Sequence, residues 1–216
     1  MSKPKITAFE NGPFLIQNIE KLVNSKDEEL ECTSETYLCR CGGSADKPYC
    51  DKSHETNGFN SQNEEKDLHN ETIEYKGKEI TIFDNRNICS HRGYCSKELS
   101  TVFTDGVPWI NPDGASVEEI IAICDKCPSG ALSYALHESE RNQGAEDEIP
   151  TVRLAERHFG YHGPYDVSGK IELDSPGSRS PESPVKMTLC RCGHSKNKPF
   201  CDGQHYNHQF EDEKNE

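Results

Sequence analysis

Long hydrophobic runs are missing from this sequence, and so is a balance of charge. No apolar run approaches the ~20 residues that a membrane-spanning helix needs, and residues 1–12 lack the continuous apolar stretch of a secretory signal peptide. Only 24 Lys and Arg residues stand against 38 Asp and Glu residues, which argues against binding to the phosphate backbone of nucleic acids. These absences predict a cytoplasmic protein whose partners include neither a membrane nor a nucleic acid.

Hydrophobic residues are also scarce. They make up 32% of the 216 residues, which is little for one large core. Cysteine is abundant by contrast, with 11 residues. In a protein without a secretion signal, clustered cysteines indicate metal ligands before they indicate disulfides. We therefore expect bound metal to help stabilise this chain.

One short motif occurs twice. The sequence Leu-Cys-Arg-Cys-Gly at residues 38–42 recurs at residues 189–193, an offset of 151 positions. The same offset relates the Gly-Pro-aromatic sequence at residues 12–14 to residues 163–165. Two copies of one unit therefore lie at the two ends of the chain, with a different segment between them.

Each copy carries four metal-ligating residue types at one spacing. The pattern is Cys-x-Cys, eight residues, Cys, three residues and His, which selects Cys39, Cys41, Cys50 and His54 in the first copy and Cys190, Cys192, Cys201 and His205 in the second. Four such ligands suit either a zinc ion or a [2Fe-2S] cluster. Because all four recur in register, free thiols that coincide by chance are a poor explanation.

These residues resemble the CDGSH iron–sulfur motif of the mitoNEET family. The second copy follows the motif through Cys-Arg-Cys at residues 190–192 and Pro-Phe-Cys-Asp-Gly at residues 199–203, with Gln204 in place of its Ser. The first copy departs from it at Lys52, which replaces the motif's Gly. The resemblance implies one redox-active [2Fe-2S] cluster per motif, held by three Cys and one His. It also implies β-rich units that pair about a two-fold axis.

Because one chain supplies both units, we expect an intramolecular pseudo-dimer, an arrangement compatible with a monomeric protein. The expected fold class is α+β, with two small β-rich CDGSH units and a small ferredoxin-like module. The predicted domains are residues 1–62, 70–138 and 150–216. Polar and charged stretches at residues 60–70 and 138–148 are interpreted as linkers, the second as a solvated spacer.

The middle segment has the pattern of a small α+β module. Polar and apolar residues alternate in residues 72–75 and 79–83, on either side of Gly77. This pattern predicts a β-hairpin. Residues 132–136 are predicted to form a closing strand. A helix is predicted between these strands, because Ser116 and Glu119 have the spacing of a capping box. Apolar side chains then follow at helical spacing, at Val117, Ile120, Ile121 and Cys124, and Pro128 ends the helix.

Three cysteines of this module resemble a divergent, single-cluster ferredoxin domain. Cys89 and Cys95 are separated by five residues, and the remote Cys127 is followed by proline. Ordinary bacterial ferredoxins have a third cysteine within the first run, but that position is Arg92 here, which cannot be a ligand. The three cysteines suit a [3Fe-4S] cluster, and a fourth ligand would complete a [4Fe-4S] cluster.

Two residues are candidates for the fourth ligand. Cys124 lies one helical turn before Cys127, although it also completes the apolar stripe and would then be a buried core residue. His91 is the second candidate, with an exposed loop histidine as the alternative. Cys32 has no counterpart in the second copy and is interpreted as an unliganded thiol.

The function predicted from these patterns is one-electron transfer between iron–sulfur clusters and an unidentified redox partner protein. The sequence has no Walker loop, dinucleotide fingerprint or Ser/His/Asp order, so we predict an electron carrier and not an enzyme. A second hypothesis is a cluster donor to an apo-acceptor protein, or a redox or pH sensor in which His54 or His205 releases its cluster. A third is a structural zinc protein.

Overall fold

The computed structural model describes residues 3–63, 71–137, 139–144, 148–177 and 180–215. These residues form a β-rich α+β structure, which confirms the predicted fold class at that level. The strands are β1 (Lys5–Ala8), β2 (Phe14–Gln17), β3 (Lys21–Val23), β4 (Glu35–Leu38), β5 (Ile73–Lys76), β6 (Ile80–Asp84), β7 (Leu132–Leu136), β8 (Thr151–Leu154), β9 (Tyr165–Ser168), β10 (Glu172–Asp174) and β11 (Lys186–Leu189). The helices are α1 (Tyr94–Glu98), α2 (Val117–Lys126) and α3 (Gln204–Asn207), with 3-10 turns at Ser53–Glu55 and Arg86–Ile88.

The two repeated units exchange a strand with each other. One sheet has the order β10-β1-β2-β4 and the other has the order β11-β9-β8-β3. Strand β10 of the second unit runs parallel to β1, and β3 of the first unit runs parallel to β8. The other pairings within these two sheets are antiparallel. Each sheet is therefore completed by the other copy.

The core between these sheets belongs to both copies. Successive side chains of a strand point to opposite faces of its sheet, and β1 accordingly buries Ile6 and Ala8 while its alternate residues are half-buried. Phe14 of the first copy meets Tyr165 of the second edge to face, with ring centroids 6.3 Å apart. The apolar surface of one unit is thus covered by the other, which compensates for the low hydrophobic content.

The middle module contains the predicted hairpin and closing strand. Strands β5, β6 and β7 form an antiparallel sheet in that order. At the hairpin turn the amide of Gly77 donates to the carbonyl of Ile80 at 2.9 Å. A side chain at Gly77 would come within 2.8 Å of Pro112, which explains why the turn has a glycine.

Helix α2 confirms the predicted capping box. The Ser116 side chain accepts from the backbone amide of Glu119, whose side chain accepts in return from the Ser116 amide. The predicted apolar face packs on the module core, with Ile120 and Cys124 buried and Ile121 half-buried against them, and Ile123 is buried as well. No helix of the described ranges has the length and apolarity to cross a membrane.

The second predicted linker is not a free spacer where the structure describes it. Arg141 makes an ion pair with Glu182 at 2.7 Å, and the Gln143 amide donates to the Glu182 carbonyl at 2.7 Å. The amide of Asn142 donates to the carbonyl of Tyr134 at 2.6 Å. This segment therefore fastens the module to the second unit. Residues 64–70 of the first linker lie outside the described residues.

Candidate metal centres

The first candidate centre lies on the loops that follow strand β4. Cys39 and Cys41 leave the end of this strand, and their sulfurs are 3.8 Å apart. The 3-10 turn Ser53–Glu55 positions His54, whose Nδ1 lies 3.5 Å from the sulfur of Cys50. The predicted ligands thus lie as one Cys–Cys pair and one Cys–His pair.

The second candidate centre repeats this geometry after strand β11. The sulfurs of Cys190 and Cys192 are 3.7 Å apart. Helix α3 carries His205, whose Nδ1 lies 3.4 Å from the sulfur of Cys201. Within the described ranges, no three His, Cys, Asp or Glu side chains gather so that they could hold one metal ion. In both centres the ligand atoms therefore come together two by two.

The two centres differ in their burial. All four predicted ligands of the second centre are buried, and His205 is only 2% exposed. In the first centre Cys39 is buried, whereas Cys41, Cys50 and His54 are half-buried. Solvent therefore reaches the first centre far more readily than the second.

Backbone amides donate to the cysteine sulfurs of every candidate centre. The donors are Gly43 to Cys41, Lys52 to Cys50, Gly203 to Cys201 and His91 to Cys89, each with a nitrogen–sulfur distance of 3.4 Å. Hydrogen bonds to a charged form favour it, so these amides support the thiolate that a metal requires.

Burial acts on the sulfurs in the opposite direction. It raises the pKa of Cys201 well above the usual value and that of Cys89 to about 11. A hydrogen bond from Cys39 lowers the pKa of Cys41. Since metals bind thiolates, loading these centres must release protons. The sulfur and nitrogen ligand atoms, their arrangement in pairs and the amide hydrogen bonds to the sulfurs together fit iron–sulfur groups.

The ligand loops of the two copies touch each other through their backbones. Gly42 and Gly193 have φ angles of +76° and +84°. A Cβ at Gly42 would lie 2.5 Å from the carbonyl oxygen of Cys192, and one at Gly193 would lie 2.6 Å from that of Cys41. Only glycine allows this approach. The glycine after the second cysteine of each motif therefore lets the two ligand loops lie against each other.

The arginine inside each Cys-Arg-Cys sequence is buried beside the thiolates. Burial lowers the pKa of Arg40 to about 10, and the Cys190 sulfur of the other copy opposes that shift. Arg191 donates to the Gly163 carbonyl at 2.7 Å and makes an ion pair with Asp212. Positive charge is thus held next to groups that are negative when metal is bound.

A third candidate centre lies in the middle module. Cys89, Cys95 and Cys127 line one cavity, and the Arg86 guanidinium donates to the Cys89 sulfur at 3.5 Å. The structure therefore brings the three predicted ligands together.

The two candidates for a fourth ligand are placed differently. Cys124 is 1% exposed in the hydrophobic core of the module, beside Ile120 and Ile123, as its core interpretation predicts. His91 is an exposed loop residue whose ring lies against Gly203 of the second unit. Cys32 is half-buried, and its sulfur contacts the Thr36 hydroxyl at 3.8 Å.

The roles of three residues around the centres were not predicted from the sequence. The Tyr165 hydroxyl donates to the carbonyls of Cys39 and Pro48, and Tyr206 packs on His205 with ring centroids 4.1 Å apart. Arg92 is buried and bonds Glu156 of the second unit at 3.0 Å. A position-by-position comparison of the two copies would have singled out both tyrosines, because they replace Phe14 and Glu55 of the first copy.

Comparison with known proteins agrees with this division of the chain. Residues 11–55 and 162–206 match the family described as iron-binding zinc finger CDGSH type, and residues 75–137 match the family described as divergent 4Fe-4S mono-cluster. An uncharacterized protein of Escherichia coli K12, YjdI, is 39% identical over 61 residues, which are 28% of this chain and 80% of the relative. Its counterpart in Escherichia coli O157:H7 matches equally. No solved structure matches the chain.

These matches and the thiolate sites define an iron–sulfur protein. More specifically, the chain belongs to the CDGSH iron–sulfur family and carries two CDGSH domains on either side of a divergent 4Fe-4S mono-cluster domain.

Proposed function

We propose that this protein is a one-electron carrier with two [2Fe-2S] clusters, one per CDGSH domain, and one [4Fe-4S] or [3Fe-4S] cluster in the middle module. The observation that carries the proposal is the two-by-two arrangement of the CDGSH ligands. A [2Fe-2S] cluster needs two protein ligands on each of its two irons, which suits a Cys–Cys pair and a separate Cys–His pair. A structural zinc ion needs all four ligands around one point, so the pairing argues against the zinc hypothesis.

The residues of the chain adjust these centres for electron acceptance. Three thiolates and a neutral His leave less negative charge on the centre than four thiolates would, and His ligation raises the potential in Rieske centres. The buried Arg40 and Arg191 and the amide donors act in the same direction. When bound, the clusters supply reversible gain and loss of single electrons. The exchanged strands β3 and β10 support an intramolecular pseudo-dimer as the frame.

Anaerobic purification with metal analysis and EPR spectroscopy tests this proposal. We expect a coloured protein that contains iron and acid-labile sulfide, bleaches with dithionite and recovers on oxidation. The spectrum of the reduced protein should contain two [2Fe-2S] signals, and the oxidised and reduced spectra together should reveal one further cluster. A colourless protein with stoichiometric zinc would sink the proposal.

A second candidate function, donation of a cluster to an apo-acceptor protein, is favoured by the half-buried first centre. Cys50 and His54 are open to a partner's thiols, whereas Cys201 and His205 are not. Mixing the loaded protein with an apo-ferredoxin separates the two functions. Transfer of the cluster from the first CDGSH domain indicates a donor, while electron exchange with all clusters retained indicates a carrier.

A further inference from the structure

The middle module is fastened to the second CDGSH domain by contacts that surround its cysteine cavity. Arg92 and the Tyr94 hydroxyl bond the Glu156 carboxylate at 3.0 and 2.9 Å. On another side, the Asn197 amide of the second domain donates to the Asn87 carbonyl at 2.8 Å. These contacts hold the third centre next to the second.

Tyr206 forms a continuous bridge between these two centres. Its ring packs on His205 at a centroid distance of 4.1 Å, and its hydroxyl donates to the His91 carbonyl at 3.1 Å. The amide of His91 in turn donates to the Cys89 sulfur at 3.4 Å. One side chain and the backbone of one residue therefore link a ligand of the second centre to a ligand of the third.

His91 of the module lies directly against Gly203 of the second CDGSH domain. A Cβ at Gly203 would lie 2.5 Å from Cδ2 of His91, so no side chain fits there while the module stays docked. Gly203 is buried and has a φ of +86°. The contact thus depends on the glycine of the CDGSH motif.

The first CDGSH domain lacks this docking surface. It has Lys52 where the second has Gly203, and Glu55 where the second has Tyr206. Lys52 keeps the left-handed backbone, with a φ of +71°, and both Lys52 and Glu55 are exposed. The first copy therefore departs from the motif at the positions where the second copy contacts the module.

We propose that the three centres form a linear series, in which the module exchanges electrons with the second CDGSH centre through Tyr206 and His91. The second centre then exchanges electrons with the first across the Gly42–Cys192 contact, and the half-buried first centre is the end that meets the redox partner protein. Each step moves one electron from a reduced centre to its oxidised neighbour, with no bond made or broken. The inference rests on the proposed electron-transfer function.

The test exchanges the residues that differ between the copies. In the full chain, loaded under anaerobic conditions, Gly203→Lys places a side chain against His91, and Lys52→Gly is the matched control in the domain without the contact. Iron and sulfide content is measured first, because every variant must carry the wild-type complement. The readout is the EPR line broadening that two neighbouring reduced centres cause in each other.

We expect Gly203→Lys to abolish the broadening between the module's signal and the second CDGSH signal, while Lys52→Gly leaves it unchanged. Tyr206→Glu, which also installs the residue of the first copy, should slow the equilibration of electrons between these centres after a flash of photochemical reductant. If the Gly203→Lys protein does not bind its second CDGSH cluster, the equilibration rate in Tyr206→Glu is the deciding measurement. Glu55→Tyr is then the control.

Wild-type broadening in a fully loaded Gly203→Lys protein, or unchanged equilibration in Tyr206→Glu, would overturn the linear series. Failure of the wild-type clusters to undergo reversible reduction would instead overturn the electron-transfer function. The two failures are therefore distinguishable.

Discussion

The hydroxyl of Tyr165 lies 2.9 Å from the carbonyl oxygen of Cys39 and donates to it across the interface of the two CDGSH domains. Tyr165 is 1% exposed, so no water can replace it as a donor. A residue of the second domain therefore shapes the ligand loop of the first.

Tyr165→Phe should destabilise the first centre selectively. The substitution keeps the ring but leaves the Cys39 carbonyl without this donor, and an unsatisfied buried polar group costs about 1–3 kcal/mol. We expect a lower midpoint in urea denaturation and faster loss of the first cluster, followed by its EPR signal. Tyr37→Phe, which removes an exposed hydroxyl from strand β4 of the same domain, is the control. Equal loss of both CDGSH signals in Tyr165→Phe would contradict the selective role.

Acid should release the cluster of the first CDGSH domain before that of the second. Protonation of a His competes with the metal for the same nitrogen lone pair. His54 is half-buried, whereas burial, aided by Arg92 and Arg191, lowers the pKa of His205 to about 3. Because a lowered pKa delays protonation as the pH falls, the decay of visible absorbance at mildly acidic pH should have two phases.

Cysteine substitutions assign the two phases. His54→Cys should slow the fast phase and His205→Cys the slow phase, since a thiolate replaces the ligand that is most easily protonated. Both variants should also have a lower reduction potential at the altered centre, because it gains one negative charge. Identical decay in the wild type and both variants would show that His protonation does not control release.

Cys124→Ala should leave the type of the module's cluster unchanged. The side chain is buried in the module core beside Ile120 and Ile123 and is not among the residues that line the cavity of the three predicted ligands. Loss of the sulfur from a packed site should cost about 1 kcal/mol in the free energy of unfolding. Cys127→Ala is the positive control and should remove the cluster. Conversion of a [4Fe-4S] to a [3Fe-4S] EPR signal in Cys124→Ala would make Cys124 the fourth ligand after all.

Asp84→Asn should stabilise the protein at neutral pH. Asp84 is 1% exposed, and burial raises its pKa to about 6 against an ordinary value of 3.8. A raised pKa means that the folded state holds the proton more tightly than the unfolded state. Asp84 therefore lowers stability as the pH rises from about 4 to 6, and two pKa units correspond to about 3 kcal/mol.

The measurement is the urea midpoint of the loaded wild type and of Asp84→Asn between pH 4.5 and pH 7.5, a window chosen to bracket the raised pKa. The gap between the two proteins should widen with increasing pH and level off above the pKa of Asp84. Glu20→Gln, at an exposed position of the first domain, controls for the removal of a carboxylate elsewhere. A gap that does not change with pH would exclude ionisation of Asp84 as its cause.

The local elements could be predicted because their signals are local. The capping box at Ser116, the hairpin at Gly77 and the ligand spacing around Cys190 each lie within a few residues, and each is found in the structure. Ile123 lies outside the predicted apolar face of α2, and its burial follows from the packing of this helix on β7.

The long-range features could not be predicted in the same way. Strands β3 and β10 are short and resemble ordinary edge strands, and nothing in their residues indicates that they pair with the other copy. The docking of His91 on Gly203 joins positions 112 residues apart along the chain. Such pairings depend on the assembled sheets and not on the pattern of any one segment.

The exchanged strands have a consequence for how this assembly responds to dilution. Two separate subunits that swap strands dissociate as their concentration falls. When both copies are on one chain, the partner is present at a fixed, high effective concentration. The pairing of β1 with β10 and of β3 with β8 is therefore independent of the amount of protein. The ratio of two CDGSH domains to one module is set by the gene and not by an equilibrium.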